Sequence, residues 1–244
     1  LPIYVDDIQS GIMTGSMSDK IELENFLDGM IINIGADKDF MHNEEYKVIL
    51  AQFLDDISKY ASSKALAVAD SDIHKALLLL RGAYILNPTD NYNAYFYARF
   101  LWPRAYEVED KFKDDFIRAA LEILQDTIVN DEDFAISYYE LGNIYANLGE
   151  YTKARSFYNN ALQKTDAPEA QDEIRDKLTE IGDNADIEES LYFIGKGDYN
   201  SAIKKLTGLL SNKKRADAYY YLGVAYQNIG QYENSIMAFE NSLD

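Results

Sequence analysis

The side chains best suited to chemistry are few. His42 and His74 are the only histidines, the one residue type whose ordinary pKa lets it exchange protons near neutrality. His74 lies beside an apolar helix face, where a surface role is expected. The acidic stretch Asp37-x-Asp39 with Asn43-Glu44-Glu45 has the composition of a calcium loop. It lacks the glycine of the sharp turn and the spaced glutamate, so a solvated loop leading to a helix cap is expected. Asp70-Ser71-Asp72 reads in the same way, as a turn and cap. The pairs Asp55-Asp56 and Asp114-Asp115 would suit general acid–base work if their carboxyls met, but neighbours in a helix point in different directions. No glycine-rich phosphate loop, Gly-x-Ser-x-Gly or His-Glu-x-x-His is present. The sequence therefore predicts a non-catalytic protein with no cofactor and no metal site.

The bulk composition narrows the partners. The 244 residues carry a formal charge of −19, which repels a phosphate backbone or an anionic membrane surface. The expected partner is a neutral to basic protein or peptide, and nucleic acid is not expected. The charge is uneven, with the segment before Ile57 especially acidic. The absence of cysteine fits the cytoplasm, or an exported protein that avoids cysteine. The longest aliphatic run, Ala76 to Leu80, is too short to span a bilayer, so no membrane insertion is expected. The first residue is Leu1 rather than Met, and no solvating helix follows Ser242. The natural protein is therefore expected to extend beyond these residues.

The elements that would position any site emerge from an internal repeat. Tyr138-x2-Leu141-Gly142-x2-Tyr145, then Gly149-Glu150-Tyr151-x2-Ala154-x3-Tyr158-x2-Ala161, recurs as Tyr219-x2-Leu222-Gly223-x2-Tyr226, then Gly230-Gln231-Tyr232-x2-Ser235-x3-Phe239-x2-Ser242. This pattern resembles the tetratricopeptide repeat, a helix–turn–helix unit of about 34 residues. Gly142 and Gly223 then fall where the first helix of a unit touches its second, with Ala154 and Ser235 as small partners.

Weaker copies surround the two clear ones. Asp72 to Pro88 reads as a second helix, preceded by Tyr60-x2-Ser63-Lys64-x2-Ala67, in which Lys64 takes the glycine position. Ala94-x2-Tyr97-Ala98-x2-Leu101 starts the next unit, with extra residues expected over 107–115. Gly197-Asp198-Tyr199-x2-Ala202-x3-Leu206 marks another, and the surplus before it reads as an added helix ending at Gly182. The expected architecture is all-α: a right-handed superhelical solenoid of antiparallel helix pairs with an N-terminal helical cap. The cap covers 1–56 and the repeats 57–244, in units of about 57–90, 91–134, 135–168, 183–215 and 216–244, with the extra helix at about 168–182. Within the cap, one helix is expected over Ile21 to Ile34 with Asp19 and Glu22 as a capping pair. Another is expected from Glu44, with Tyr46, Ile49, Leu50, Phe53, Leu54 and Ile57 on one face.

The resemblance also implies a site. In that family the residues just after the first aromatic and just after the glycine line a concave groove. Carried over, these are Tyr95, Arg99, Tyr139, Asn143, Asn147, Tyr220, Val224, Gln227 and Asn228, with Ile187 and Leu191 from the degenerate unit. Only Asn143 and Asn147 match the carboxylate-gripping set of chaperone-binding members, and no lysine does. A surface of Tyr, Asn and Gln with an apolar patch remains. Asparagine amides both donate and accept hydrogen bonds, as an extended peptide requires, and tyrosine adds flat contact area with a polar tip. The opposing expectation is that the cap or the added helix folds into the groove and occupies these residues. The implied function is a protein- or peptide-binding scaffold; the alternative is a sensor or assembly subunit forming the binding half of a larger or membrane-anchored protein.

Overall fold

The computed structural model of the chain describes residues 22–243 together with Ile3. Every regular element among them is a helix: twelve α-helices and one 3-10 turn. The chain divides into two compact units, Leu1–Ser137 and Tyr138–Asp244.

In the first unit, α1 (Leu23–Ala36) begins at a capping box in which Asn25 Oδ1 accepts from the Glu22 backbone N–H at 2.8 Å. Glu22 thus caps α1 with Asn25 as its partner; Asp19 lies outside the described residues. The α1 stripe Leu27, Met30, Ile31 and Ile34 is buried, and α1 packs on α4 (Ile73–Leu86). The two backbones come into close contact: a Cβ on Gly82 would sit 2.7 Å from the Ile31 carbonyl oxygen, and one on Gly35 would collide with the Leu78 carbonyl. Asp28, only 1% exposed, accepts from the Tyr60 hydroxyl at 2.8 Å. Lys75 Nζ lies 3.5 Å from its carboxylate and Lys64 Nζ 3.8 Å away; Lys64 also pairs with Glu24 at 2.9 Å. Lys64 breaks the repeat pattern because it holds α1 against α3 (Ile57–Val68).

The helix α2 is shorter than its periodicity predicts. It runs Asn43–Leu50; the Asp56 carboxylate then caps a new helix by accepting from Lys59 N–H at 2.9 Å. Of the expected apolar face only Leu50 is fully buried, and Phe53 is 53% exposed. Asp90 caps α5 (Asn91–Leu101) by accepting from Tyr92 and Asn93 N–H. The extra residues were expected over 107–115. They follow the 3-10 turn Trp102–Tyr106 and run into the early turns of α6 (Asp110–Asn130).

The second unit contains α7 (Ala135–Asn147) from Tyr138 onward, α8 (Tyr151–Lys164), α9 (Pro168–Gly195), α10 (Tyr199–Leu210), α11 (Ala216–Asn228) and α12 (Tyr232–Asn241). Three helix ends repeat one turn. Gly149, Gly197 and Gly230 sit at φ of 76°, 78° and 76°, the left-handed region that favours glycine. In each, the following N–H reaches back to close the turn: Glu150 to Tyr145 O, Asp198 to Phe193 O, and Gln231 to Tyr226 O, at 2.9–3.0 Å. Gly142 and Gly223 lie at the expected helix contacts, where a Cβ would meet the Tyr158 ring at 2.5 Å and the Phe239 ring at 2.7 Å. Ser235 Oγ donates to the Gly223 carbonyl at 2.9 Å across the second contact.

The main departure is α9. It was expected to stop at Gly182, but it runs unbroken for 28 residues, about 42 Å at 1.5 Å per residue. Gly182 has a helical φ and open space around it. Buried Ile174, Ile181, Ala185 and Ile187 span the would-be break, so packing on α8 and then α10 carries the helix through.

Candidate functional site

In the first unit, Tyr95 is buried, at 3% exposure, although an open face was expected. Its ring lies against Phe96, and its hydroxyl accepts from Arg99 Nη1 at 2.9 Å. The Arg99 guanidinium sits 5.9 Å from the ring centre on the exposed side. This pair presents a cation rather than a phenol.

In the second unit, α7 carries Tyr139, Asn143 and Asn147 along one side, and the N-terminal half of α9 faces them. The Tyr139 hydroxyl donates to the Glu173 carboxylate; burial first, and then that bond, raise its pKa above the usual phenol value. The Tyr158 hydroxyl donates to Asn143 Oδ1 at 2.7 Å, and Asn143 Nδ2 donates to Glu140 at 3.2 Å. Burial, with the nearby Tyr139 second, raises the Tyr158 pKa as well. Asn147 is exposed and donates to the Asn143 carbonyl at 2.9 Å. A pocket of about 250 Å³ remains between α7, α8 and α9.

On α11, Tyr220 is 52% exposed, its ring against Tyr221 and Phe239. Gln227 and Asn228 are exposed about two turns further on, and Asn228 Nδ2 donates to Val224 O at 2.8 Å. Of the two α9 residues expected on this face, Leu191 is partly exposed but Ile187 is in the core with Leu206, Leu222 and Ala238. The α9–α10 pairing turns Ile187 inward.

The groove positions did not include a charged cluster at the middle of α9. Arg155 of α8 reaches Asp186 at 2.7 Å and Glu189 at 2.6 Å; Lys205 of α10 reaches the same two carboxylates at 3.1 and 2.7 Å. Burial raises the Asp186 pKa, but the bonds from Arg155 and Lys205 outweigh it and hold the carboxyl below its usual value. For Glu189 the Lys205 bond is the leading cause of a lowered pKa. Glu188 adds a cap, accepting from the Thr152 N–H and hydroxyl at 2.9 Å. Thr152, Arg155, Glu188 and Glu189 border a second cleft of about 420 Å³ with Tyr192 and Phe193. The signal was visible in the spacing: Asp186-x2-Glu189 stands where the clear repeats carry Tyr138-x2-Leu141 and Tyr219-x2-Leu222.

The loop Asp37–Asn43 is tied to itself. Asp37 Oδ1 accepts from Asp39 N–H at 3.0 Å, and Asn43 Nδ2 donates to the Asp37 and Lys38 carbonyls. Among the described residues no group of three or more His, Asp or Glu is placed to hold a metal ion, and no helix is long and apolar enough to cross a membrane.

A tetratricopeptide-repeat family model matches residues 135–167, and a second matches residues 216–244. No curated protein matches the chain. Among solved structures, the chain is similar to a MamA protein at 16% identity and a TM-score of 0.41, covering 78% of this chain and 92% of that one. A second, MamA MSR-1 C2, gives 14% identity and 0.42, covering 76% and 94%. The human IFIT1 dimer with PPP-AAAA gives 18% identity and 0.43, covering 89% of this chain and 54% of that one.

Proposed function

We infer, from the premise that the chain is a tetratricopeptide-repeat protein, that it is a non-catalytic scaffold binding a protein or peptide segment along the second unit. Such repeats serve as interaction surfaces, and the finer question is which face is used. The observation that carries the reading is Tyr220, half exposed on α11 beside Gln227 and Asn228. A tyrosine at such a position adds contact area at low side-chain entropy cost, and the amides adapt to either hydrogen-bond polarity. Leu191 on α9 is a further partly exposed apolar side chain of the same unit. A neutral to basic partner suits the chain, because a net charge of −19 slows the approach of an anion; nucleic acid is not expected on the same ground. The test is a photo-crosslinking residue placed at Tyr220 or, as a control, at the exposed Val129 of the first unit. Adducts with the captured partner are expected from position 220. Adducts from 129 alone, or capture unchanged by Tyr220→Ala with Asn228→Ala, would place the binding face elsewhere.

A further inference from the structure

The helix α2 turns its larger apolar side chains toward solvent. At 3.6 residues per turn, Val48 and Ile49 fall on the side away from Asn43 and Leu50, its two buried residues. Phe53 continues that side in the turn that follows, where its N–H reaches Leu50 O at 3.0 Å. Val48 is 64% exposed, and Ile49 and Phe53 are exposed with it. At eight residues, α2 is shorter than the roughly 12–15 that an isolated helix needs for even marginal stability. It therefore depends on packing, yet Leu50 is its one buried apolar side chain, and its main neighbour among the described helices is α1. Exposed apolar side chains grouped within a polar rim mark an interaction face.

The rim selects the occupant. From Asp37 to Asp56 the chain has six carboxylates and two lysines. Lys47, the one lysine of α2, is held by Glu44 at 2.7 Å. Glu45, one turn before the apolar stripe, and Asp55, just beyond Phe53, are exposed. A second copy would bring the same carboxylates to the contact. The chain's own residues before Glu22 carry three aspartates and one lysine, and an anionic bilayer would be repelled. We propose that this face docks an amphipathic helix of a partner protein, its apolar stripe flanked by lysine or arginine. The occupant is helical because α2 satisfies its backbone groups internally. An extended segment laid on it would find no main-chain hydrogen bonds, whereas a helix supplies its own. The contact is separate from the Tyr220 face and does not depend on it.

The experiment titrates the isotope-labelled full chain with a synthetic amphipathic helix of leucine and lysine. The comparison probes are the same peptide with glutamate for lysine, the same with serine for leucine, and phosphatidylcholine vesicles. The leucine–lysine peptide should slow amide exchange across α2 and move the Val48 and Ile49 methyl resonances, binding at least about tenfold more tightly than any other probe. Val48→Ser with Phe53→Ser, both at exposed positions, should weaken it about tenfold with the helical signal unchanged. Glu45→Gln with Asp55→Asn should weaken it and flatten its salt dependence, while Tyr220→Ala should change nothing. Glutamate or serine peptide binding equally well would overturn the proposal, as would a response indifferent to the Val48 and Phe53 changes. Vesicles that move the same methyls would assign the face to a bilayer instead, and self-association of the chain lost in Val48→Ser with Phe53→Ser would assign it to a second copy; either result overturns the proposal.

Discussion

Replacing Gly142 by alanine would put a methyl carbon 2.5 Å from two carbons of the Tyr158 ring, where carbon atoms at rest stand about 3.5–4.0 Å apart. The ring would have to withdraw by about 1 Å. It is fully buried, and its hydroxyl is tied to Asn143 on the same helix as Gly142, so it cannot move without straining that bond. Overpacking of this kind costs roughly 1–3 kcal/mol, whereas removing glycine from a helix interior returns about 1 kcal/mol. The net for Gly142→Ala is a loss of up to about 2 kcal/mol. At Gly223 the obstacle is the Phe239 ring at 2.7 Å, only partly buried and without a hydroxyl tether, so the loss is smaller. Gly182 and Gly208 lie in helices of the same unit with nothing within 4 Å of a Cβ. There alanine should stabilise by up to about 1 kcal/mol. Helical circular dichroism against temperature would resolve these signs, since 1 kcal/mol moves the midpoint by roughly 2–4 °C in a chain of this size. A Gly142→Ala protein melting at or above the parent would refute the helix contact and the repeat register built on it.

Asn143→Ala should lower stability by about 1–3 kcal/mol, because the buried Tyr158 hydroxyl loses its acceptor, while Tyr220→Ala should cost under about 1 kcal/mol; paired urea titrations compare them. Asp28→Ala removes the buried carboxylate that accepts from Tyr60 and faces Lys64 and Lys75 and should cost roughly 1–3 kcal/mol, seen by hydrogen exchange as lost protection in α1, α3 and α4 with α10–α12 unaffected. Asp186 and Glu189 have lowered folded pKa values, so their contribution is present above the unfolded carboxylate range of about 4 and is lost as pH falls through the folded values. The stability gap between the parent and Arg155→Met should therefore be full at neutral pH and shrink below about pH 4; a gap that persists in strong acid would show that Arg155 acts through packing alone.

The repeat core was legible because its signals are local. A glycine at a crossing, a glycine in a left-handed turn and an aromatic three or four residues away each constrain one helix pair. Gly142 and Gly223 therefore read correctly without any long-range information, while Gly149, Gly197 and Gly230 marked the units without their left-handed turns being foreseen. The face of α2 read less well. Its apolar spacing runs on through Phe53 to Ile57, but the Asp56 cap ends the pattern, and a cap competes with periodicity only once the following N–H groups are in place. The Gly35–Gly82 crossing was invisible, since two isolated glycines nearly fifty residues apart carry no shared period. Tyr95 shows the limit of transferring positions by alignment. Its place in the repeat is conventional, yet whether such a residue faces solvent depends on what packs against α5.

The α9 helix shows how a departure from the pattern can itself be informative. Gly182 resembles a helix stop, and in isolation it weakens the helix by about 1 kcal/mol. The buried stripe Ile174, Ile181, Ala185 and Ile187 overrides it, and a cluster of charges beginning four residues beyond fixes the helix to its neighbours. A regular unit would bury an aromatic and a leucine at the stripe now held by Asp186 and Glu189, and those carboxylates need cations on both sides to be tolerated at partial burial. Arg155 on α8 and Lys205 on α10 provide them, so the same four side chains that look like a broken repeat tie three consecutive helices together. That arrangement also accounts for the partly closed groove: with the middle of α9 fixed to α8 and α10, its N-terminal half is held beside α7, where Glu173 takes the Tyr139 hydroxyl. Charged residues at apolar repeat positions thus mark where a solenoid pairs its helices by ion contacts. In this chain they mark the segment of α9 whose N-terminal half shapes the pocket beside Asn143 and Asn147.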